Sequence, residues 1–163
     1  MRSEIGYLMK SISDKKHEEL TPAAIFDVFN KEYINDFDII DITDAKFSHL
    51  TSTKEEDNPY SVVIRVMIDG KEYNLEGIGN GRLDAVSNAL RKTEYHFDYQ
   101  FVTYSENAIS QDSNSKAAAY VCIADKNGNK YWGVGTHADI ILASVNALVS
   151  AINRMNKKIH FVK

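Results

Sequence analysis

The strongest constraint on the fold of this chain is an internal repeat. The order strand, strand, strand, helix runs twice, and in each copy a polar loop and a glycine-containing hairpin turn separate the strands. Three segments of the first copy are similar to segments of the second: Gly70–Tyr73 to Gly128–Tyr131, Gly77–Gly79 to Gly133–Gly135, and Ser87–Leu90 to Val145–Leu148. Because a sheet with one apolar face needs a helix to cover it, we expect two copies related by a pseudo-twofold axis to complete one core.

The strands and helices of each copy follow from residue patterns. Alternating apolar residues and the dipeptides Asp69-Gly70 and Asn127-Gly128 predict hairpins, and apolar residues at helical spacing predict the closing helices. For the first copy the predicted elements are strands Asp38–Leu50, Tyr60–Ile68 and Lys71–Gly77, and helix Leu83–Lys92. For the second they are strand Phe97–Tyr104, polar loop Asn107–Lys116, strands Ala117–Ala124 and Lys130–Gly135, and a helix from about Asp139 to Met155.

The segment before the repeats is predicted to be helical. Thr21-Pro22 is typical of a helix start, and Ile25, Phe26, Phe29 and Tyr33 recur at near-helical spacing, which indicates a docking face. We therefore predict an α+β fold of duplicated β-β-β-α units, with antiparallel sheets packed against helices and a short helical linker in front. The linker covers residues 1–36 and the main domain 37–163, with repeat 1 at about 37–95 and repeat 2 at about 96–163.

Composition excludes several classes of partner. The net charge is -4 and no block of Lys and Arg is present to neutralise phosphates, so nucleic acid is not expected as a partner. No uncharged apolar stretch approaches the roughly 20 residues of a membrane span, so no membrane partner is expected either. The single cysteine, Cys122, cannot form an internal disulfide and indicates a reducing, cytoplasmic location.

No motif nominates a catalytic centre or a cofactor. Gly77–Gly81 leaves a strand and enters a helix, so its N–H groups are suited to an anion, although glycines also serve simply to make a sharp turn. The dinucleotide fingerprint is incomplete, because the unit looks antiparallel. The five histidines lack metal-ligand spacing, and the serines lack a nucleophile context.

Several segments in the right order resemble one known family. Gly77-Ile78-Gly79-Asn80-Gly81-Arg82-Leu83-Asp84-Ala85 resembles the Gly-x-Gly-Asn-Gly-Pro signature of the C-terminal regulatory domain of 2-isopropylmalate synthases and related citramalate synthases. Tyr104–Ser110, Ala117–Val121, Tyr131–Gly135 and Ser144–Arg154 are similar to further segments of that domain, and Thr21–Tyr33 looks like the helix before it.

The resemblance implies a non-catalytic domain that forms a homodimer and binds leucine, the end product that inhibits a separate catalytic domain of the synthase. A catalytic barrel with its His-x-His metal motif is not expected in this chain, which would carry neither catalytic residues nor a metal or other cofactor. By the resemblance, effector contacts fall on Gly79, Gly81, Leu83 and Asp84 at the first turn, on Phe101, Tyr104 and Ala108 of the next strand, and on Gly135 and Thr136 at the second turn.

One position departs from the family pattern. Arg82 stands where the family has proline, and it brings a cation to the expected site. The sequence is also compatible with two alternatives: an isoleucine-sensing domain of a citramalate synthase, and a dimerisation module without a ligand. Pocket shape separates leucine from isoleucine by only ~1 to 3 kcal/mol, so the sequence leaves that choice open.

Overall fold

A computed structural model of the protein describes residues 1–49, 59–95, 97–109 and 115–160. The helices and strands follow one another as α1 (Arg2–Lys16), α2 (Pro22–Tyr33), β1 (Ile40–His49), β2 (Tyr60–Ile68), β3 (Lys71–Gly79), α3 (Arg82–Leu90), β4 (Gln100–Ala108), β5 (Ala117–Ala124), β6 (Lys130–His137) and α4 (Ile140–His160). The strands form two antiparallel sheets, ordered β1-β2-β3 and β4-β5-β6. The predicted α+β fold of duplicated β-β-β-α units is therefore confirmed.

Both predicted hairpins are present, but their turns differ. Asp69 and Gly70 have φ angles of 49° and 76°, which is the positive pair that a two-residue turn requires. In the second copy only Gly128 has a positive φ, and the Asp125 N–H donates to the carbonyl of Asn129, 3.0 Å away, so three residues form the loop. The Asn129 side chain, with further hydrogen bonds, holds the pKa of the Asp125 carboxyl below its usual range.

The fourth strand lies further along the chain than the predicted Phe97–Tyr104. Pairing with β5 starts at Gln100 and runs to Ala108, so it enters the segment predicted as a polar loop. The start is late because Tyr99 is anchored to α3 instead of to β5: its hydroxyl lies 2.7 Å from the Ser87 hydroxyl, and its carbonyl accepts a hydrogen bond from Arg91. A bulge at Val102 then shifts the register, so that Tyr104 pairs with Val121, and every residue of β4 is exposed.

Glycines allow each helix to lie almost on the backbone of the strand before it. A β-carbon at Gly77 would stand 2.0 Å from the Ala85 carbonyl oxygen of α3, and one at Gly133 would stand 2.2 Å from the Ala147 carbonyl oxygen of α4. Real β-carbons do not approach other atoms so closely, so these positions accept glycine alone. The helix faces that meet these strands carry alanines, which keep the approach short.

One hydrophobic core joins the two copies. Val62, Ile64, Val66 and Ile68 of β2 belong to the same buried cluster as Val121 and Ile123 of β5 and Leu148 and Ile152 of α4. The expectation that each copy completes the other is therefore confirmed. No helix in the described ranges is long and apolar enough to cross a lipid bilayer.

The helical segment is attached to the second copy by a polar contact at its C-terminal end, which we call the linker latch (residues 33–40 against β6 and α4). Thr21 caps α2 as predicted, and its hydroxyl accepts a hydrogen bond from the Ala24 N–H. Beyond α2, the Asn153 side chain of α4 bonds the N–H and carbonyl of Ile40 and the carbonyl of Asp36. The apolar stripe of α2 is only partly covered. Phe26 is 60% exposed and Ile25 is 39% exposed, whereas Tyr33 at the end of the helix is buried.

The helix-on-strand contact is testable with one added methyl group. Gly133→Ala should lower the free energy of unfolding by about 3 kcal/mol, at the upper end of usual overpacking costs, because backbone atoms on both elements must separate. Gly6→Ala is the control, since this helical glycine has open space around it and alanine gains up to about 1 kcal/mol in a helix. Urea denaturation measures both, and equal stability of the Gly133→Ala variant and the unsubstituted chain would contradict the contact.

Candidate functional site

A cavity of about 410 Å³ lies between the two copies, where α3 and α4 both begin. We call it the inter-copy cavity. The first copy contributes Tyr60 and the turn Gly81–Asp84, and the second contributes Tyr104, Glu106, Ile140, Ile141 and Ser144. Its volume falls within the range of small-molecule sites. Neither copy forms the cavity alone.

The wall from the second copy is polar and carries a carboxylate. Tyr104 and Glu106 are two residues apart on β4 and therefore share a face, and the Tyr104 hydroxyl donates to the Glu106 carboxylate. The Tyr104 hydroxyl also lies 2.9 Å from the Ser144 hydroxyl of α4, which can donate either to Tyr104 or to the Ile140 carbonyl, 2.8 Å away. Burial, and then the neighbouring Glu106 carboxylate, raise the pKa of Tyr104 above its usual value.

The wall from the first copy is the start of α3. Gly81 is the N-cap and has no side chain to accept a hydrogen bond, so N–H groups of the first helical turn lack a side-chain cap. The Asp84 carboxylate turns back instead and accepts a hydrogen bond of 3.0 Å from the Asn80 N–H. The Arg82 guanidinium lies over the Tyr60 ring, 4.8 Å from its centroid. This wall therefore brings the Arg82 charge and the helix start to the cavity, beside the Asp84 carboxylate that is bonded to Asn80.

The opposing charges in the inter-copy cavity are not neutralised by protein partners. In the described ranges, neither Arg82 nor Glu106 belongs to an ion pair. A second cavity of about 490 Å³, beside the end of α2, is different, because its Lys157 is already paired with Asp36 at 2.8 Å. The inter-copy cavity is therefore the better candidate for a ligand that carries both charges.

Four of the residues expected to contact an effector line this cavity, namely Gly81, Leu83, Asp84 and Tyr104. Gly79 lies just outside, with its backbone packed against Asp84 and Ala85. Phe101 and Ala108 lie on the same strand as Tyr104, where the Phe101 ring packs edge-on against Tyr99 and Ala108 pairs with Ala117. A role for these three in effector binding stays a prediction.

The second predicted turn is placed differently from the first. Gly135 packs against α4, where a β-carbon would stand 1.9 Å from the Ala143 carbonyl oxygen. Thr136 belongs to the linker latch, because its N–H donates to the Asn35 side chain and its carbonyl and hydroxyl accept from that side chain. Neither residue is among those that line the inter-copy cavity. Their assignment to the effector site also stays a prediction.

Sequence reasoning did not include several residues that line the cavity. Glu106 had a usable signal, because the two-residue period of a strand places it on the same face as Tyr104. Ile140, Ile141 and Ser144 lie within the predicted last helix and Tyr60 within a predicted strand, and neither pattern indicates a binding site. Within the described residues, no group of three or more His, Cys, Asp or Glu side chains is arranged to hold a metal ion.

The fold and the cavity define a class: a duplicated β-β-β-α module with one small-molecule-sized site shared by its copies. The family model of the LeuA allosteric (dimerisation) domain matches residues 19–156. The chain belongs to this family.

Relatives named 2-isopropylmalate synthase match almost the whole chain. The protein from Desulfitobacterium hafniense is 39% identical over 157 residues, which cover 96% of this chain and 27% of that synthase. The one from Helicobacter hepaticus is 37% identical over 158 residues, covering 94% and 28%, and the one from Schizosaccharomyces pombe is 32% identical over 165 residues, covering 96% and 27%. The chain thus spans about a quarter of the length of these relatives.

The hydrogen bonds of the polar wall predict how two substitutions change the pKa of Tyr104. In Glu106→Gln the pKa of Tyr104 should fall, because a carboxylate that disfavours the phenolate is removed. In Ser144→Ala the pKa should rise, because the hydrogen bond that favours the phenolate is lost. Titration of 13C-labelled tyrosines by NMR, with Tyr104→Phe for assignment, measures both shifts. Shifts of the same sign in the two variants would contradict the described arrangement.

Proposed function

We propose that this chain is the regulatory domain of a 2-isopropylmalate synthase, that it binds leucine in the inter-copy cavity, and that it is not itself catalytic. The observation that carries the proposal is the pair of unneutralised charges on opposite walls, Arg82 at the start of α3 and Glu106 on β4. An amino acid is a small zwitterion that carries one charge of each sign. The description of the family and the names of the relatives support the same proposal.

The cavity also suits a branched apolar side chain. Leu83, Ile140 and Ile141 supply aliphatic surface between the charged walls, and the Tyr60 ring adds an aromatic face. Transfer of an isobutyl group from water to such surface contributes roughly 1.5 to 3 kcal/mol, so the side chain supplies much of the affinity. The Glu106 carboxylate, with the Tyr104 hydroxyl beside it, receives the ammonium group.

Helix α4 gives such a ligand a physical route to the rest of the protein. Its N-terminal end lines the cavity through Ile140 and Ser144, and its later turns hold the linker latch through Ser150 and Asn153. A ligand that binds one position of α4 better than another therefore changes how the helical linker is held. Typical coupling energies of ~1 to 3 kcal/mol are sufficient for feedback inhibition of a catalytic domain attached through that linker.

We further propose that two copies of the chain associate through β4. Pairing with β5 leaves the outer edge of β4 without a strand partner in the described part of the chain. Every residue of β4 is exposed, including Phe101 and Val102, and an edge strand with exposed apolar side chains is a typical site for association with a second chain. The family description includes dimerisation.

Calorimetry with leucine, isoleucine and valine tests the ligand. We expect leucine to bind most tightly, and Glu106→Gln to weaken leucine binding at least tenfold, because a charge-assisted hydrogen bond contributes ~1.5 to 3 kcal/mol. Glu72→Gln, an exposed change near the first hairpin, is the matched control and should bind normally. Tighter binding of isoleucine would favour the citramalate synthase type, and no heat with any of the three would favour a dimerisation module without a ligand.

The mass of the chain in solution tests the association. Sedimentation equilibrium should report a dimer for the unsubstituted chain and a monomer for Val102→Lys, because a lysine charge would have to be buried at the contact. Val63→Lys is a close control, since Val63 is 47% exposed and Val102 is 44% exposed, but Val63 lies on the central strand of the other sheet. A dimer that persists in Val102→Lys would exclude β4 as the contact.

A further inference from the structure

Arg82 differs from the other arginines that lie over tyrosine rings. Arg91 lies over Tyr99 and Arg154 over Tyr33, and both donate hydrogen bonds to protein acceptors: Arg91 to a backbone carbonyl, and Arg154 to the Glu4 carboxylate as well. Arg82 lies over Tyr60 at the inter-copy cavity, and in the described ranges it has no hydrogen bond to a protein acceptor. Its guanidinium is held by a ring and its donors are available to a ligand.

The geometry points to Arg82 as the residue that binds the carboxylate of the effector, so that the site requires an α-amino acid with a free carboxylate. This inference rests on the proposed function and deepens it. A guanidinium offers two parallel N–H donors, which match the two oxygens of a carboxylate. The cation–π contact with Tyr60 holds the guanidinium beside the cavity and so reduces the freedom lost when the ligand binds.

The opposite wall fixes the direction of the ligand. A carboxylate placed beside Glu106 would meet a like charge, whereas an ammonium there gains an ion pair and the Tyr104 hydroxyl as a neighbour. The ligand therefore has one orientation, with its carboxylate at Arg82 and its ammonium at Glu106. In a site with the proline of the family signature at position 82, this charge is absent, and backbone N–H groups alone would face the carboxylate.

The test compares leucine with leucinamide, which keeps the ammonium and the side chain but lacks the negative charge. The titrations are made at about pH 6.5, below the ordinary pKa of an α-amino group, so that both ligands carry the ammonium. The unsubstituted chain should bind leucine roughly ten- to a hundredfold more tightly than leucinamide. Arg82→Met, which keeps the length of the side chain without its charge, should lose that preference by weakening leucine and leaving leucinamide unchanged.

Arg65→Met is the matched control, because Arg65 is exposed on β2 and its side chain does not line the cavity. It should keep the preference for leucine. If Arg82→Met weakened the binding of leucine and of leucinamide equally, the inference would be overturned and Arg82 would be a packing residue. Unchanged leucine binding in Arg82→Met would also overturn the inference. Absence of leucine binding by the unsubstituted chain is a separate outcome, which overturns the proposed function and this inference with it. Thermal unfolding checks that Arg82→Met is folded.

Discussion

The close contacts of α3 with β3 and of α4 with β6 determine how the two copies pack. Gly77 and Gly79 lie against α3, and Gly133 and Gly135 lie against α4, at distances that leave no room for a β-carbon. Because both helices are drawn onto their strands in the same way, both begin at the same side of the shared core. The inter-copy cavity forms where those two helix starts face β4. The glycines thus affect the cavity indirectly, through the packing of the helices. Gly79 and Gly135 lie against the N-terminal turns of α3 and α4, and so help to position the helix starts that line it.

A single helix connects the parts that regulation would need to couple. Helix α4 has 21 residues, a length of roughly 30 Å, and it touches the cavity near its start and the linker latch further along. The latch is unusually polar for a buried contact: Asn153 and Ser150 are fully buried, and their side chains hold the backbone of Asp36 and Ile40. Such directional hydrogen bonds hold the linker in one position against α4. Apolar packing alone would define that position less sharply.

Much of this architecture could be predicted from the sequence, because the repeat fixes both the order of elements and the need for a shared core. The strands Tyr60–Ile68 and Ala117–Ala124 match their predicted bounds, since their apolar patterns are unbroken. The start of β4 was not predictable, because the anchoring of Tyr99 to α3 is a tertiary contact. For the same reason, the sequence did not reveal that Thr136 meets Asn35, about a hundred residues earlier. The facing of Arg82 and Glu106 across the cavity depends on how two distant segments pack. From the sequence, only Arg82 could be singled out, because it stands where the family has proline.

The proposed function requires that a zwitterionic amino acid occupies the inter-copy cavity. Isotope-filtered NMR with 13C-leucine on the unlabelled chain tests it most directly, because through-space contacts identify the protons nearest the ligand. We expect contacts from the leucine methyl groups to the side chains of Leu83, Ile140 and Ile141, and from its α-proton to the Tyr104 ring. Contacts confined to residues beside the end of α2, such as Ile34 and Phe37, would contradict it.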